Sequence, residues 1–234
     1  MVNSALNAAY PRERLRYNGG DFGEKLRDDM ASNVHVIRRA LDWTNAAEWT
    51  AHIAEDRLQP IRDAFRREGA QGPIIVWNPT ASAMAAPPLA ALIEYWTALR
   101  KNGALPPADR IDPLQMRRAL GYVMLVDAIE NGEDFRYRLF GSAIAAVSGF
   151  DMTGRRLSEH AASAYILEFS LALYRAALLR KEPVFSQYAP AGTKVTAEWH
   201  RVALPLADSL GAVSRLLAGS VPLGRDGRIV PVRF

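Results

Sequence analysis

"FRYRLFGSAIAAVSGFDMTGRRLSEH", residues 135–160, decides how this chain folds. Its opening alternates bulky and basic residues in the manner of a strand and runs into Gly141. Ser142–Ser148 are small enough for a short, closely packed helix. Gly149 and Gly154 then interrupt the chain before a second short helical piece. Glycines let the backbone turn sharply at no side-chain cost, and turns so spaced curve short helices across the open face of a twisted sheet. Hardly one catalytic side chain stands among them, so the segment reads as a wall around a space.

The flanks supply the sheet. "YVMLVDAI" (122–129) is apolar on both faces, which predicts a central strand. It is joined through the turn "ENGED" to "FRYRLFG" as an antiparallel hairpin. Downstream, about Ala162 to Arg180 reads as one long helix with a single polar line through Glu168 and Arg175. A helix so apolar needs cover on most sides. "PVFSQYAP", "EWHRVALPL" and "AVSRLLAGSVPL" follow as three more strands, with turns at Ala191-Gly192 and Asp208–Gly211. The fold class is therefore α+β: five antiparallel strands, with helices inserted after the second.

Upstream the chain is helical. Leu26, Met30, Val34, Ile37 and Leu41 keep a helical stripe over 24–43. A second helical stretch carries Trp49, Ile53, Ile61 and Phe65, with Pro60 breaking it. "PIIVW" (73–77) reads as one short strand, and "NPTASAMAAPPL" as a linker. Two segments follow: a mainly helical extension, 1–88, and a domain over 89–234. The domain opens on a helix with Leu92, Tyr95, Trp96 and Leu99 on one side, closing at Gly103. "ALPPADRIDPLQMRRAL" is extended and then turns helical after Asp112-Pro113, a good helix entry.

The strand-strand-helices-strand-strand-strand order, with "SGF" followed by "DMTGRRLSE", resembles a PAS domain. In that family a hydrophobic residue, Gly and Tyr/Phe precede a polar spacer, Gly, a basic residue and Leu. Trp96, Arg100, Leu105-Pro106 and Asp112-Pro113 are similar to the opening of a bacterial subgroup of stand-alone PAS proteins. The resemblance covers about residues 90–223. It implies a five-stranded antiparallel sheet with a ligand space between sheet and inserted helices, and a role in sensing or protein interaction. In a haem-binding member His160 would be the axial ligand.

Bulk properties exclude several classes. The chain has 234 residues and no cysteine, so thiolate chemistry, disulfides and zinc–cysteine sites are out. The N-terminus lacks a secretory signal and no apolar run is long enough to span a membrane, which predicts a cytoplasmic protein. Net charge is +4. Residues 1–88 balance 11 basic against 11 acidic side chains, and residues 89–234 hold 18 against 14. The arginines are scattered, which argues against a nucleic-acid partner. No metal cluster, nucleotide loop or nucleophile–base arrangement can be argued from spacing, so no catalytic residue is assigned and no cofactor is required.

Alternation nominates a pocket. Phe135, Tyr137 and Leu139 share the inward face of their strand, with Phe140 tucked under the following helix. Trp199, Arg201, Ala203 and Pro205 oppose His200, Val202, Leu204 and Leu206. Phe169 and Leu173 close the space from the long helix. The candidate lining is thus Tyr137, Leu139, Phe140, Phe169, Leu173, Trp199 and Arg201. Its apolar character suits a small organic ligand, and an inward arginine favours an anionic one. The expectation is a sensor or adaptor, not an enzyme. It binds a small molecule or a partner protein and works through altered association, homodimerisation included. The alternatives are an enzyme using the same cleft with His160 or His200 as base, and a purely structural interaction module with a filled core.

Overall fold

The structure, a computed structural model, describes residues 44–192 and 196–232. The helix expected over 24–43 lies outside the described residues. The first two helices are α1 (Thr44–Ala54) and α2 (Gln59–Arg67). Ala46, Trp49, Thr50 and Ile53 of α1 are buried at helical spacing, as are Ile61, Ala64 and Phe65 of α2. Pro60 separates the two as expected. It sits in the first turn of α2, where its missing N–H leaves no bond unmade.

The sheet comprises β1 (Gln71–Trp77), β2 (Val123–Ile129), β3 (Asp134–Phe140), β4 (Val184–Ala189), β5 (Glu198–Ala207) and β6 (Val213–Leu223). It is antiparallel, in the order β1-β4-β5-β6-β2-β3. Five strands are those expected. The sixth is the "PIIVW" segment, which does not stand apart but pairs with β4, setting Ile75 opposite Ser186 and Trp77 opposite Val184. A strand edge left bare exposes a row of unpaired peptide groups, and β1 covers that of β4.

Both faces of the sheet are covered. α3 (Pro87–Leu99) lies on the outer face, with Leu89, Leu92, Ile93 and Trp96 against Val202, Leu204, Leu206, Leu217 and Val221. Trp96 Nε1 donates to the Pro205 carbonyl at 2.8 Å and anchors the helix. α4 (Ser142–Ser148) and α5 (Ala164–Arg180) lie on the inner face. α5 is buried nearly all round because α1 packs along its other side. Phe65 of α2 meets Tyr165 and Phe169 edge-on at 5.0 and 5.2 Å. The cover that the apolar sequence of α5 demands thus comes from the segment before the sheet. Asp112-Pro113 starts only a 3-10 turn, Pro113–Met116, which Asp112 caps by accepting from the Leu114 N–H at 2.9 Å.

The glycine-punctuated segment folds as a wall, with one change of reason. Gly141 has an ordinary φ of −58°, so it is not a turn residue. A Cβ there would stand 2.2 Å from the Gly121 carbonyl oxygen, so close backbone approach demands glycine. Gly149 does terminate α4 in the left-handed region at φ 83°.

Candidate functional site

Three strands present one row of residues to the interior. Register sets Ser186 opposite Arg201 and Arg201 opposite Ser220, and directly opposed residues of an antiparallel pair share a face. The two serines are 0% and 1% exposed and the arginine 9%. α5 lies over this row and adds Ser170 and Tyr174, one helical turn apart and therefore on one side.

Arg201 is the centre. Its Nη1 donates to Ser170 Oγ and its Nη2 to the Tyr188 hydroxyl, both at 2.9 Å. Its guanidinium carbon lies 5.4 Å from the centre of the Tyr188 ring and 5.7 Å from that of Tyr174, within cation–π range. Among the described residues this buried cation meets hydroxyls and aromatic faces and no carboxylate. Burial of Arg201 thus leaves its charge uncompensated, although the guanidinium stays protonated.

Around it the hydrogen bonding is incomplete. Arg201 Nε, Ser186 Oγ, Ser220 Oγ and His160 Nδ1 are buried without a protein partner, whereas the Tyr174 hydroxyl has the Tyr137 hydroxyl beside it. Each such atom costs about 1–3 kcal/mol when left unmet. Several in one place weigh heavily against a typical net stability of about 5–15 kcal/mol. His160, between the small helices and α5, meets the Phe150 ring edge-on at 4.3 Å. Burial first, and then the Arg201 charge, lowers its pKa to about 4, so at neutral pH the ring is uncharged. Burial holds the Tyr137 and Tyr188 phenols above their ordinary pKa, so both stay protonated.

Most of the predicted lining is gathered here. Tyr137 and Phe140 are buried on the inner face, their rings edge to face at 5.3 Å. Phe169 and Leu173 are fully buried, and Phe169 meets Tyr188 at 5.6 Å. Trp199 shares the face of Arg201 but is half-buried, opposite Tyr188 and Pro222 at the end of the sheet. Leu139 is a correction. The register of β2 and β3 shifts between Leu125 and Val126, so that Leu125 opposes Leu139 while Val126 opposes Tyr137. Arg138 is the extra residue of this bulge. It turns Phe140 inward and leaves Leu139 40% exposed, outside any lining.

The sequence reading missed Ser170, Tyr174, Tyr188, Ser186 and Ser220. The two α5 residues had a signal, being polar positions one turn apart and off the line of Glu168 and Arg175 in a mostly apolar helix. The serines had none without strand register. His200 lies on the other face of β5, its ring 5.4 Å from Phe185 and its Nε2 2.9 Å from Glu198 Oε1. The histidine that has a carboxylate beside it is therefore not in the Arg201 space. An open surface groove of about 600 Å³, lined by Arg100, Leu105, Pro107, Lys181 and Asp208, lies apart from Arg201. Two of its polar side chains are tied to local backbone: Arg100 Nη2 donates to the Gly103 carbonyl, and Asp208 accepts from the Leu210 and Ala212 N–H groups. Among the described residues no set of acidic, histidine or cysteine side chains is placed to hold a metal. No helix among them is long and apolar enough to cross a membrane.

A family model described as "PAS domain" matches residues 84–220, more than half of the chain. The match takes in α3, the five expected strands up to Ser220, and the inserted helices, and leaves out α1, α2 and β1. No curated protein and no solved structure matches the chain.

Proposed function

The chain belongs to the PAS domain family, and we propose from this that it is a cytoplasmic sensor or adaptor, not an enzyme. It takes a small molecule between the sheet and α4–α5 and signals by altered association with a partner protein or a second copy of itself. Family membership supports a sensory or interaction module in general. The observation that carries the ligand is the set of orphaned polar atoms around Arg201, which a bound molecule would satisfy. The path outward runs through α5. One side of that helix holds Ser170 and Tyr174 at the site, and the other packs against α1. A ligand that shifts α5 therefore acts on the helices outside the family's own boundaries.

Complete burial of Phe135, Phe169 and Leu173 favours a second reading. This is an interaction module with a permanently filled core, in which ordered waters serve the orphaned atoms. Native mass spectrometry of the freshly purified full chain, beside a visible spectrum, separates the two. A retained small-molecule mass or a coloured band supports the sensor. A native mass equal to the denatured mass supports the filled module. Light scattering with and without the recovered molecule then tests the association step, and an unchanged mass sinks it.

A further inference from the structure

Resting on the reading of this space as a ligand site, we infer that its ligand is a small organic monocarboxylate seated on Arg201. A guanidinium presents its N–H groups as a planar fork that matches a carboxylate. Ser170 and Tyr188 each take one hydrogen of the terminal nitrogens. Nε and the second hydrogen of each terminal nitrogen remain open, and Nε has no partner. A carboxylate can therefore accept from Nε and from an open hydrogen of a terminal nitrogen.

The neighbours suit the same ligand. Ser186 and Ser220 flank the arginine on both adjacent strands, and their free hydroxyls can each donate to an acceptor above the sheet. An ionised carboxylate is acceptor-only, so it complements a ring of donors in which, among the described residues, the permanent charge is that of Arg201.

Charge limits the choice further. Arg201 faces neutral serines, neutral phenols and an uncharged His160, so one negative charge balances the site. A doubly charged phosphate would leave an excess negative charge among Tyr137, Phe169, Leu173 and Tyr174. The surrounding aromatic and aliphatic side chains are fully or almost fully buried, which requires a compact ligand with an apolar body.

The test is the thermal midpoint of the full chain after exhaustive dialysis. Sodium acetate, propionate and benzoate are titrated beside acetamide, propionamide and benzamide, with sodium chloride matching ionic strength. At least one acid should raise the midpoint saturably, by about 5–10 °C at a hundredfold excess over its Kd, while its amide does not. Arg201→Met should lose the response, and Ser186→Ala should weaken it roughly tenfold. Equal responses to acid and amide, a response reproduced by chloride alone, or no acid response overturns the assignment. The acid–amide comparison needs no variant, so a misfolded Arg201→Met leaves it decisive. A neutral molecule retained in the native mass spectrum, with no acid response, sinks the carboxylate and leaves the ligand site standing. No retained molecule and no response to either series sinks both.

Discussion

The Tyr188 hydroxyl accepts the Arg201 Nη2 hydrogen at 2.9 Å across β4 and β5. The Tyr174 hydroxyl, on a ring near the same guanidinium, makes no hydrogen bond to it and has the Tyr137 hydroxyl as its neighbour. Two phenols beside one cation therefore carry different energetic weight. Tyr188→Phe should cost about 1–3 kcal/mol, because it strips an acceptor from a buried charge. Tyr174→Phe removes a hydroxyl that bonds no charge and has only the Tyr137 phenol beside it, so it should cost less, about 0.5–1 kcal/mol. Urea unfolding midpoints of the dialysed variants compare them directly. Equal losses would mean that the hydrogen bond is not what distinguishes the two.

Acid should loosen the fold through His160. Its folded pKa of about 4 lies below the ordinary 6.5, so between those values the unfolded chain binds the extra proton and the folded chain does not. Stability contributed by the neutral ring is complete above pH 6.5 and is lost progressively as pH falls to about 4. The loss is on the order of 2–3 kcal/mol. Denaturant unfolding across pH 4–7 measures it, and His160→Gln should flatten that part of the profile. An unaltered slope in the variant would assign the effect elsewhere.

Gly141 and Gly149 should fail for different reasons. A Cβ at Gly141 meets the Gly121 carbonyl oxygen, part of the backbone that cannot rotate away. Gly141→Ala should therefore cost about 2 kcal/mol or more. At Gly149 there is open space around the added atom, so Gly149→Ala pays only for its left-handed backbone, about 1 kcal/mol. Circular dichroism melts of the two variants give the order, and a Gly149 variant less stable than the Gly141 variant contradicts it.

Phe65 tests whether the segment before the family match belongs to the same cooperative unit. The side chain is fully buried and closes on Tyr165 and Phe169 of α5. Phe65→Ala should lower global stability by about 3–5 kcal/mol in a single transition. A separate early transition, with the main midpoint unchanged, would show that α1 and α2 unfold on their own.

Periodicity and punctuation were enough for the elements that repeat a local rule. Alternation in "FRYRLFG" and "EWHRVALPL", the apolar run of α5 and the spacing of glycines placed five strands and the helices between them. They also marked Tyr137, Phe169, Leu173 and Arg201 as inward. All of that depends on contacts within a few residues, or on the two faces of one strand, which sequence order alone determines.

Long-range register decided the rest. Nothing near Leu139 announces the bulge, because Arg138 becomes the extra residue only when β2 and β3 are paired side by side. Ser186 and Ser220 are 15 and 19 residues from Arg201 and become its neighbours only through antiparallel pairing. The strand at 73–77 is visible in the sequence, but its place on the edge of β4 follows from the bare peptide groups there and from its packing against α2. The uncompensated charge of Arg201 is likewise a tertiary property, since it is defined by the absence of a carboxylate beside it among the described residues, which are brought together from distant parts of the chain.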